Sequence, residues 1–400
     1  MRLWQGFPWG FGGRGGDRKA YFQLIPVGTG GTNISVELYE HCKAQGIALD
    51  WGIALVSQEE DAKKLKEKGM DEDRIILLSS KGEGFGRDIE KGCWEFKGKR
   101  EDIEKKVNNY LHNTIFIIIS GEGGGTSGAF WESDTIKIFS SHARTEGIFC
   151  FIIVSHEDAA EIITANEKKG FDAILKISEE YDNVYPIMIV NPFIDYNECN
   201  SIIVEEITLP FLRCFRPDPI AEQDYKKNRL GNVILAVPAT SKLSLDNVDR
   251  EGIKNLVKNA ATSKFIGMRK IEEVKGCFKY IISIFQAPKG KIMRWSNEIE
   301  KEIKEVFGIE KVEFFGAPEE GIRYATLLLL CIGVGDKDKY KKIRLMRRID
   351  KSREIGQGQT NPINREEVVE GLREVIEERE HEGSREVSES GIERVRRRFG

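Results

Sequence analysis

The chain has 400 residues, too many for one ordinary hydrophobic core, so two domains with appendages are expected. Hydrophobic residues make up 40% of the chain, which suffices for folding, and the formal net charge of -4 gives no global field that favours nucleic acid or an acidic membrane. No apolar run approaches the ~18 residues of a membrane span. The seven cysteines form no CxxC pair and the histidines are scattered. We therefore expect a cytoplasmic protein with reduced thiols, no membrane insertion and no zinc site.

The first elements along the chain are an arm and a phosphate-binding pattern. Residues 1–20 mix aromatic residues with glycine and arginine and cannot form a core, which predicts a disordered arm or a strip that docks on a neighbour. Residues 21–27 are predicted to be a strand, residues 28–33 (GTGGTN) a glycine turn, and residues 34–45 a helix. This order is typical of phosphate sites, because a helix N-terminus supplies free N–H groups and a favourable dipole.

Two further glycine-rich loops follow. Residues 51–56 and 75–78 are strand candidates, and the second leads into KGEGFGRD at 81–88, which carries a cation at Arg87. A helical pattern at 101–111 precedes the apolar strand 115–119, which runs into GEGGGTSGA at 121–129. Glycines let backbone N–H groups converge on one point, and the hydroxyls of Thr126 and Ser127 add donors. These loops predict a site for a polyanionic phosphate.

The remaining strands of the first half predict a parallel sheet. Residues 148–154 and 187–190 are apolar strands, with a helical pattern at 157–170 between them. Continuous apolar strands that alternate with helices are typical of a parallel sheet covered on both faces. The three glycine loops follow strands, so we expect them at one edge of that sheet, where open α/β sheets bind ligands.

The second half begins with a long helix. Residues 195–215 are predicted to be one buried helix that Pro210 kinks or shortens, followed by the polar segment 216–232. Residues 233–237 open a second domain. Its best-defined parts are strand 277–288, helix 297–307 and strands 311–315 and 323–334, which predict a small mixed sheet with helices on one side. From Asp336 the chain is charged, with a helical pattern at 366–380 and four terminal arginines.

The predicted fold class is thus α/β, a parallel-sheet domain with helices on both faces, a long central helix and a smaller α+β domain. The predicted boundaries are 1–20 for the arm, 21–195 for the phosphate-binding domain, 196–232 for the central helix and the following loop, 233–345 for the second domain and 346–400 for a charged C-terminal helix and tail.

The ordered set of motifs over residues 21–335 resembles the tubulin/FtsZ superfamily. GTGGTN resembles its first phosphate loop, GEGGGTSGA its signature loop, and KGEGFGRD the loop near the terminal phosphate. The helix after Asp195 resembles the central helix, and the strand-helix-strand-strand run from 277 to 334 resembles the second domain.

The resemblance implies a GTPase that binds GTP or GDP with Mg²⁺ and assembles head to tail into filaments. The residues that it assigns to the nucleotide lie in the three glycine loops, a second short loop and the central helix. They are Gly28, Thr29, Gly30, Gly31, Asn33, Ser57, Gly84, Gly86, Arg87, Gly121, Gly123, Gly124, Gly125, Thr126, Ser127, Gly128, Asn200 and Asn197.

The sequence departs from the family pattern at two of these places. The signature loop lacks the glycine that the family has between Thr126 and Ser127, and the second loop offers only Ser57 as a match. Asn200 is the best match for the family's guanine-contacting residue and Asn197 the second, and Asn200 can equally be read as a helix-start or cap residue.

The catalytic acids are the largest departure. The family supplies two acids after the central helix, which reach the nucleotide of the next subunit and activate water. Here Asp224 matches the water-activating acid, Ala221 stands where its partner belongs, and a register shift of two residues would select Glu222 instead. We expect weak or slow turnover.

Several functions stay open. Within the family, the sequence resembles the TubZ-like branch of plasmids and phages at least as well as cell-division FtsZ, which suggests DNA segregation or, alternatively, division or cell shape. The C-terminal tail would recruit a DNA-bound adaptor, or it is a solvated extension. The sequence also permits a nucleotide-binding scaffold without hydrolysis, or an NAD-dependent oxidoreductase, although the third glycine of the dinucleotide fingerprint is replaced by Asn33.

Overall fold

The structure is a computed structural model, which describes residues 21–156, 161–181, 183–192, 195–214, 236–333 and 335–349. Within these ranges the strands form one 11-stranded sheet in the order β10-β9-β11-β8-β7-β6-β5-β1-β3-β4, and β2 pairs with β1. The strands are β1 (Tyr21–Val27), β2 (Asp50–Trp51), β3 (Ala54–Val56), β4 (Ile75–Leu77), β5 (Thr114–Gly121), β6 (Thr145–Val154), β7 (Val184–Val190), β8 (Ala236–Ser244), β9 (Tyr280–Ala287), β10 (Lys311–Pro318) and β11 (Tyr324–Ile332).

Helices connect most of these strands. They are α1 (Gly28–Ala44), α2 (Glu59–Glu67), α3 (Ile89–Gly98), α4 (Arg100–Asn108), α5 (Gly125–Glu132), α6 (Ile136–Ser140), α7 (Glu161–Glu180), α8 (Tyr196–Ile202), α9 (Leu209–Cys214), α10 (Arg250–Ala261), α11 (Ile271–Val274), α12 (Lys289–Phe307) and α13 (Lys337–Tyr340). None of the helices in the described ranges combines the length and the apolar character that a membrane crossing needs.

The first seven strands pair in parallel, as the sequence predicts. Strand β5 shows why. Ile115, Ile117 and Ile119 pack in one hydrophobic cluster, while Phe116 and Ile118 pack in another. A strand that is apolar at every position can be buried only when both faces of its sheet are covered. The parallel sheet is therefore a central layer between two layers of helices.

The second half of the sheet is mixed, which the sequence also predicts. β8 and β11 are antiparallel, β11 and β9 are antiparallel, and β9 and β10 are parallel. The two halves join in one sheet, because β7 pairs with β8 at a single position, Ile187 with Ala236. The division into domains at residues 195 and 233 stays a prediction.

The helices of the second half lie on one face of its strands, as expected. Ile253 of α10 and Ile303 of α12 pack in the same cluster as Phe285 of β9. The opposite face, which holds Ile284 of β9, packs with Phe211 of the long helix.

The long helix is continuous but not uniform. α8 passes into a π-helical stretch, Ile203–Thr208, which leads directly into α9. Pro210 follows this stretch and lacks the N–H that an α-helix would direct at residue 206. The wider π turn accommodates the proline, so the expected kink is replaced by a local change of helix type. We call the run 196–214 the central helix.

Two expectations about helix limits are wrong. The glycine sequence at 28–33 is not a turn before a helix, because α1 already begins at Gly28. In the same way, Thr126 and Ser127 do not stand in a loop but in the first turns of α5. Glycine is a poor helix former, yet close packing of these turns against neighbouring backbone requires it, as described below.

Candidate functional site

The candidate site lies where neighbouring parallel strands end. β1 ends at Val27, β3 at Val56 and β5 at Gly121, and β1 pairs in parallel with both of the others. Their carboxyl ends therefore meet at one edge of the sheet. The segments that follow these ends are the start of α1, the short loop at Ser57, and the signature loop.

The start of α1 packs directly on the signature loop. A Cβ atom on Gly28 would lie 3.2 Å from Cβ of Thr126, and one on Gly30 would lie 3.7 Å from Cα of Gly121. A Cβ on Gly31 would lie 2.1 Å from the carbonyl oxygen of Ile119, which no side chain tolerates. Gly28 also has a φ of 66°, in the left-handed region. The glycines are thus required for two backbones to approach each other.

A buried hydrogen bond joins the second loop to the signature loop. The hydroxyl oxygens of Ser57 and Thr126 are 2.7 Å apart. The carbonyl of Ser57 in turn accepts a 3.0 Å hydrogen bond from the N–H of Gly84. The 81–88 loop is therefore tied to the other two, although the three segments are far apart in sequence.

The 81–88 loop is shaped by left-handed residues. Gly82, Gly84 and Gly86 have φ values of 65°, 80° and 55°, and Arg87, which is not glycine, has a φ of 67°. A Cβ on Gly125 would lie 3.1 Å from Cα of Arg87, so this loop also touches the first turn of α5. The Arg87 side chain is exposed and forms no ion pair with a described residue. It is thus a cation at the rim of the site.

Two helix N-termini open into the site. α1 begins after Val27 and α5 after Gly124, and neither residue provides a side-chain cap. The first N–H groups of a helix have no partner within the helix, and together with the dipole they attract anions. Glycine main chains, hydroxyls and two uncapped helix starts form a donor set that fits a phosphate chain.

Two residues outside the glycine-rich motifs support the site. Asp61 of α2 is buried and accepts a 2.7 Å hydrogen bond from the hydroxyl of Thr29. Burial raises the pKa of Asp61, and the hydrogen bond from Thr29 opposes the rise. Asn166 of α7 donates from Nδ2 to the carbonyl oxygens of Arg87 (2.8 Å) and Gly123 (3.2 Å). Neither residue lies in a recognisable motif.

Glu122 stands inside the signature loop with a buried carboxyl group. Its Oε1 atom accepts a 2.9 Å hydrogen bond from the Ser127 hydroxyl, while Oε2 is buried among described residues without a partner. A Cβ on Gly170 of α7 would lie 2.1 Å from that oxygen. Burial raises the pKa of Glu122 to about 7, although the hydrogen bond from Ser127 opposes the rise. The carboxyl group thus titrates near neutrality.

A fully buried ion pair holds α7, the helix that carries Asn166. Glu167 of α7 and Arg348 near the end of the described chain are 2.7 Å apart, and both side chains have no exposed surface. Glu167 also accepts a 2.7 Å hydrogen bond from the N–H of Ser155, which follows β6. Arg348 donates to the hydroxyl of Ser155 at 2.8 Å. These contacts fix α7 to the end of β6.

The remaining residues that the sequence predicts for the site lie either in helices or outside the described ranges. Asn33 lies in α1, where its Oδ1 accepts a 2.6 Å hydrogen bond from Nζ of Lys64. Asn197 and Asn200 lie in α8, and Asn200 is not the helix cap, because Asp195 caps this helix by accepting from the N–H of Asn197. The proposed catalytic acids Glu222 and Asp224, the arm at 1–20 and the tail after 349 lie outside the described residues.

No family model matches the sequence, and no curated protein matches it. The structure is similar to the GDP-bound monomer of CetZ1 from Haloferax volcanii, with a TM-score of 0.67, 18% identity, and coverage of 85% of this chain and 100% of that chain. For the GTPγS-bound protofilament of CetZ2 from the same organism, the values are 0.63, 14%, 85% and 100%.

A TubZ structure is also similar. The GTPγS-form protofilament of TubZ from Bacillus thuringiensis serovar israelensis gives a TM-score of 0.59 and 14% identity, with coverage of 86% of this chain and 95% of that chain. Identities this low establish the fold alone. CetZ and TubZ are members of the tubulin/FtsZ superfamily. The chain therefore has the tubulin/FtsZ fold, as the order of its sequence motifs predicts.

Proposed function

We propose that the protein binds GTP and GDP at the edge where its glycine loops meet. The observation that carries this proposal is the contact between three segments that are distant in sequence, held by Ser57, Thr126 and the N–H of Gly84. Their donors suit the phosphates, and Arg87 would approach the terminal phosphate. The similar CetZ1 and CetZ2 structures hold GDP and GTPγS, which supports a guanine nucleotide here.

The phosphates would be held mainly by main-chain N–H groups of the segments at Gly28, Gly84 and Gly124. Mg²⁺ is the proposed counterion of the nucleotide, where it would offset the negative charge of the phosphates. Asn200 and Asn197, at the start of the central helix, remain the proposed contacts to the guanine base. The hydroxyls of Thr29 and Thr126 are already partnered by Asp61 and Ser57, so their proposed role is to shape the loops.

We propose further that the chain polymerises head to tail and hydrolyses GTP at the contact between subunits. Asp224, or Glu222 in the shifted register, would reach the nucleotide of the neighbouring subunit and orient water. Heterologous contacts that do not close generate filaments. CetZ2 and TubZ have been solved as protofilaments, which supports this assembly mode.

The test is sedimentation with GTP, GDP and GTPγS, together with phosphate release over a range of protein concentrations. A site shared between subunits predicts a concentration threshold below which phosphate release nearly stops, and pelleting that needs the triphosphate. Phosphate release strictly proportional to concentration would contradict the shared site. The Asp224→Asn variant should still pellet with GTP but release phosphate more slowly.

We propose DNA segregation as the cellular role. The resemblance of the sequence to the TubZ-like branch supports it, and the TubZ structure shares the fold. Deletion of residues 381–400 tests the link to DNA. The proposal predicts that binding of a DNA-bound adaptor is lost while GTP-dependent pelleting is kept. Unchanged adaptor binding would remove the tail from this role.

A further inference from the structure

The side chain of Asn166 joins two of the phosphate loops. Nδ2 of Asn166 donates to the carbonyl oxygens of Arg87 and Gly123, at 2.8 and 3.2 Å. Arg87 belongs to the 81–88 loop and Gly123 to the signature loop. An amide NH₂ group has two donors, so a single Asn can hold both carbonyls.

Both of these residues have a positive φ, which is ordinary for glycine and unusual for any other residue. Arg87 has a φ of 67° and Gly123 a φ of 83°. A non-glycine residue with a positive φ is strained, and such strain persists only where surrounding contacts hold it. Asn166 supplies a contact to each of the two residues. Loss of this side chain would let the two loops move relative to each other.

The helix that carries Asn166 is itself held firmly. The next residue, Glu167, forms the buried ion pair with Arg348 and accepts from the N–H of Ser155. On the side of the loops, a Cβ on Gly123 would lie 2.3 Å from Cγ2 of Ile163, so the signature loop lies close against α7. Asn166 therefore projects from a fixed element, which is what precise placement of loops requires.

We propose that Asn166 is a positioning residue that sets the spacing of the 81–88 loop and the signature loop around the terminal phosphate. This inference rests on the proposed nucleotide site. The signature loop follows β5 and would contact the phosphate chain of either nucleotide, whereas the 81–88 loop with Arg87 would contact the terminal phosphate. Asn166 consequently acts more on the triphosphate than on the diphosphate.

The experiment compares GTPγS and GDP affinities of the full chain by equilibrium binding, for the wild type, Asn166→Ala and Asn166→Gln. Loss of two neutral hydrogen bonds is worth about tenfold in affinity. We expect Asn166→Ala to weaken GTPγS binding by about that factor and GDP binding much less, and to lower the melting temperature without nucleotide by only about 2–4 °C. Asn166→Gln keeps the amide and should recover part of the loss.

Asn259→Ala is the matched control, because Asn259 is exposed on α10 in the second half of the sheet. It should leave both affinities unchanged. If Asn166→Ala kept the wild-type ratio of GTPγS to GDP affinity, the inference would be overturned while the nucleotide site stood. If the wild type bound neither nucleotide, the proposed function itself would fail.

Discussion

The hydroxyl oxygens of Ser57 and Thr126 lie 2.7 Å apart, although 69 positions separate the two residues in the chain. Both are buried, at 4% and 8% exposure. Ser57 follows the last residue of β3, and Thr126 lies in the first turn of α5. Their bond therefore fixes the position of one loop at the edge of the sheet relative to the next.

Removal of this bond should weaken nucleotide binding. Thr126→Val keeps the shape of the side chain and removes the hydroxyl, which leaves the Ser57 hydroxyl without its partner. A lost hydrogen bond of this kind costs about 1 kcal/mol, so we expect roughly fivefold weaker GTPγS binding. Isothermal titration calorimetry measures the affinity for GTPγS.

Thr262→Val is the control, because the Thr262 hydroxyl forms an exposed, local hydrogen bond to the carbonyl of Lys258. Equal affinity of Thr126→Val and the wild type would contradict the role of this bond.

Close backbone packing predicts a contrast between two glycines. Gly31→Ala would place a Cβ atom 2.1 Å from the carbonyl oxygen of Ile119, so α1 must shift away from β5. We expect a loss of about 3 kcal/mol in the free energy of unfolding. Gly98→Ala, at the end of α3, meets no atom within 4 Å and should be neutral or stabilising by about 0.5 kcal/mol. Urea denaturation measures both values. Equal stability of the two variants would show that α1 does not pack on β5 as described.

The carboxyl group of Glu122 predicts a specific dependence of stability on pH. Burial raises its pKa from 4.5 to about 7, so the native state prefers the protonated acid. The raised pKa therefore contributes about 3 kcal/mol to the free energy of unfolding below pH 4.5, where the carboxyl is protonated. This contribution is lost as the pH rises through about 7. Glu122→Gln cannot ionise and still accepts from Ser127. We therefore expect the variant to be more stable than the wild type at pH 7.5, with the difference vanishing toward pH 4.5.

Thermal unfolding of Glu122→Gln and of the wild type, measured at several pH values from 4.5 to 8, tests this expectation. Glu146→Gln serves as the control, since Glu146 is exposed on β6, and it should follow the wild type at every pH. A constant difference between Glu122→Gln and the wild type over the whole range would contradict the raised pKa.

The buried ion pair predicts that substitutions of Glu167 and Arg348 have strongly non-additive effects on the free energy of unfolding. Arg348→Met leaves the Glu167 carboxylate buried without its cation and should cost about 3–5 kcal/mol. The double variant Glu167→Gln with Arg348→Met removes both charges and should recover most of that loss. A double-mutant cycle in urea measures the coupling, with exposed Lys342→Met as the control. Additive single effects would show that the two side chains do not form a pair.

Much of this architecture is predictable from local sequence patterns. Continuous apolar runs such as Ile115 to Ile119 predict buried strands in a sheet that is covered on both faces, and the helices between parallel strands supply that cover. The limits of α1 and α5 are not predictable in this way. Gly28 and Gly125 look like loop residues, because glycine is a poor helix former. Only the close approach of neighbouring segments explains why glycine stands at these helix starts.

The residues that complete the site are harder to find from sequence. Asp61, Asn166 and Arg348 act through partners that are distant in the chain, and their local surroundings resemble ordinary charged helix surface. Arg348 in particular stands in a basic run, which predicts solvent exposure, yet its side chain is fully buried because Glu167 pairs with it. Tertiary contacts decide these roles.

The central claim is that the gathered glycine loops hold a guanine nucleotide. Equilibrium binding of a fluorescent GTPγS analogue to the purified chain, with competition by GTP, GDP, ATP and NAD, tests it most directly. We predict saturable binding of one nucleotide per chain, displaced by GTP and GDP and not by NAD. Absence of saturable binding, or displacement by NAD and not by GDP, would contradict the claim.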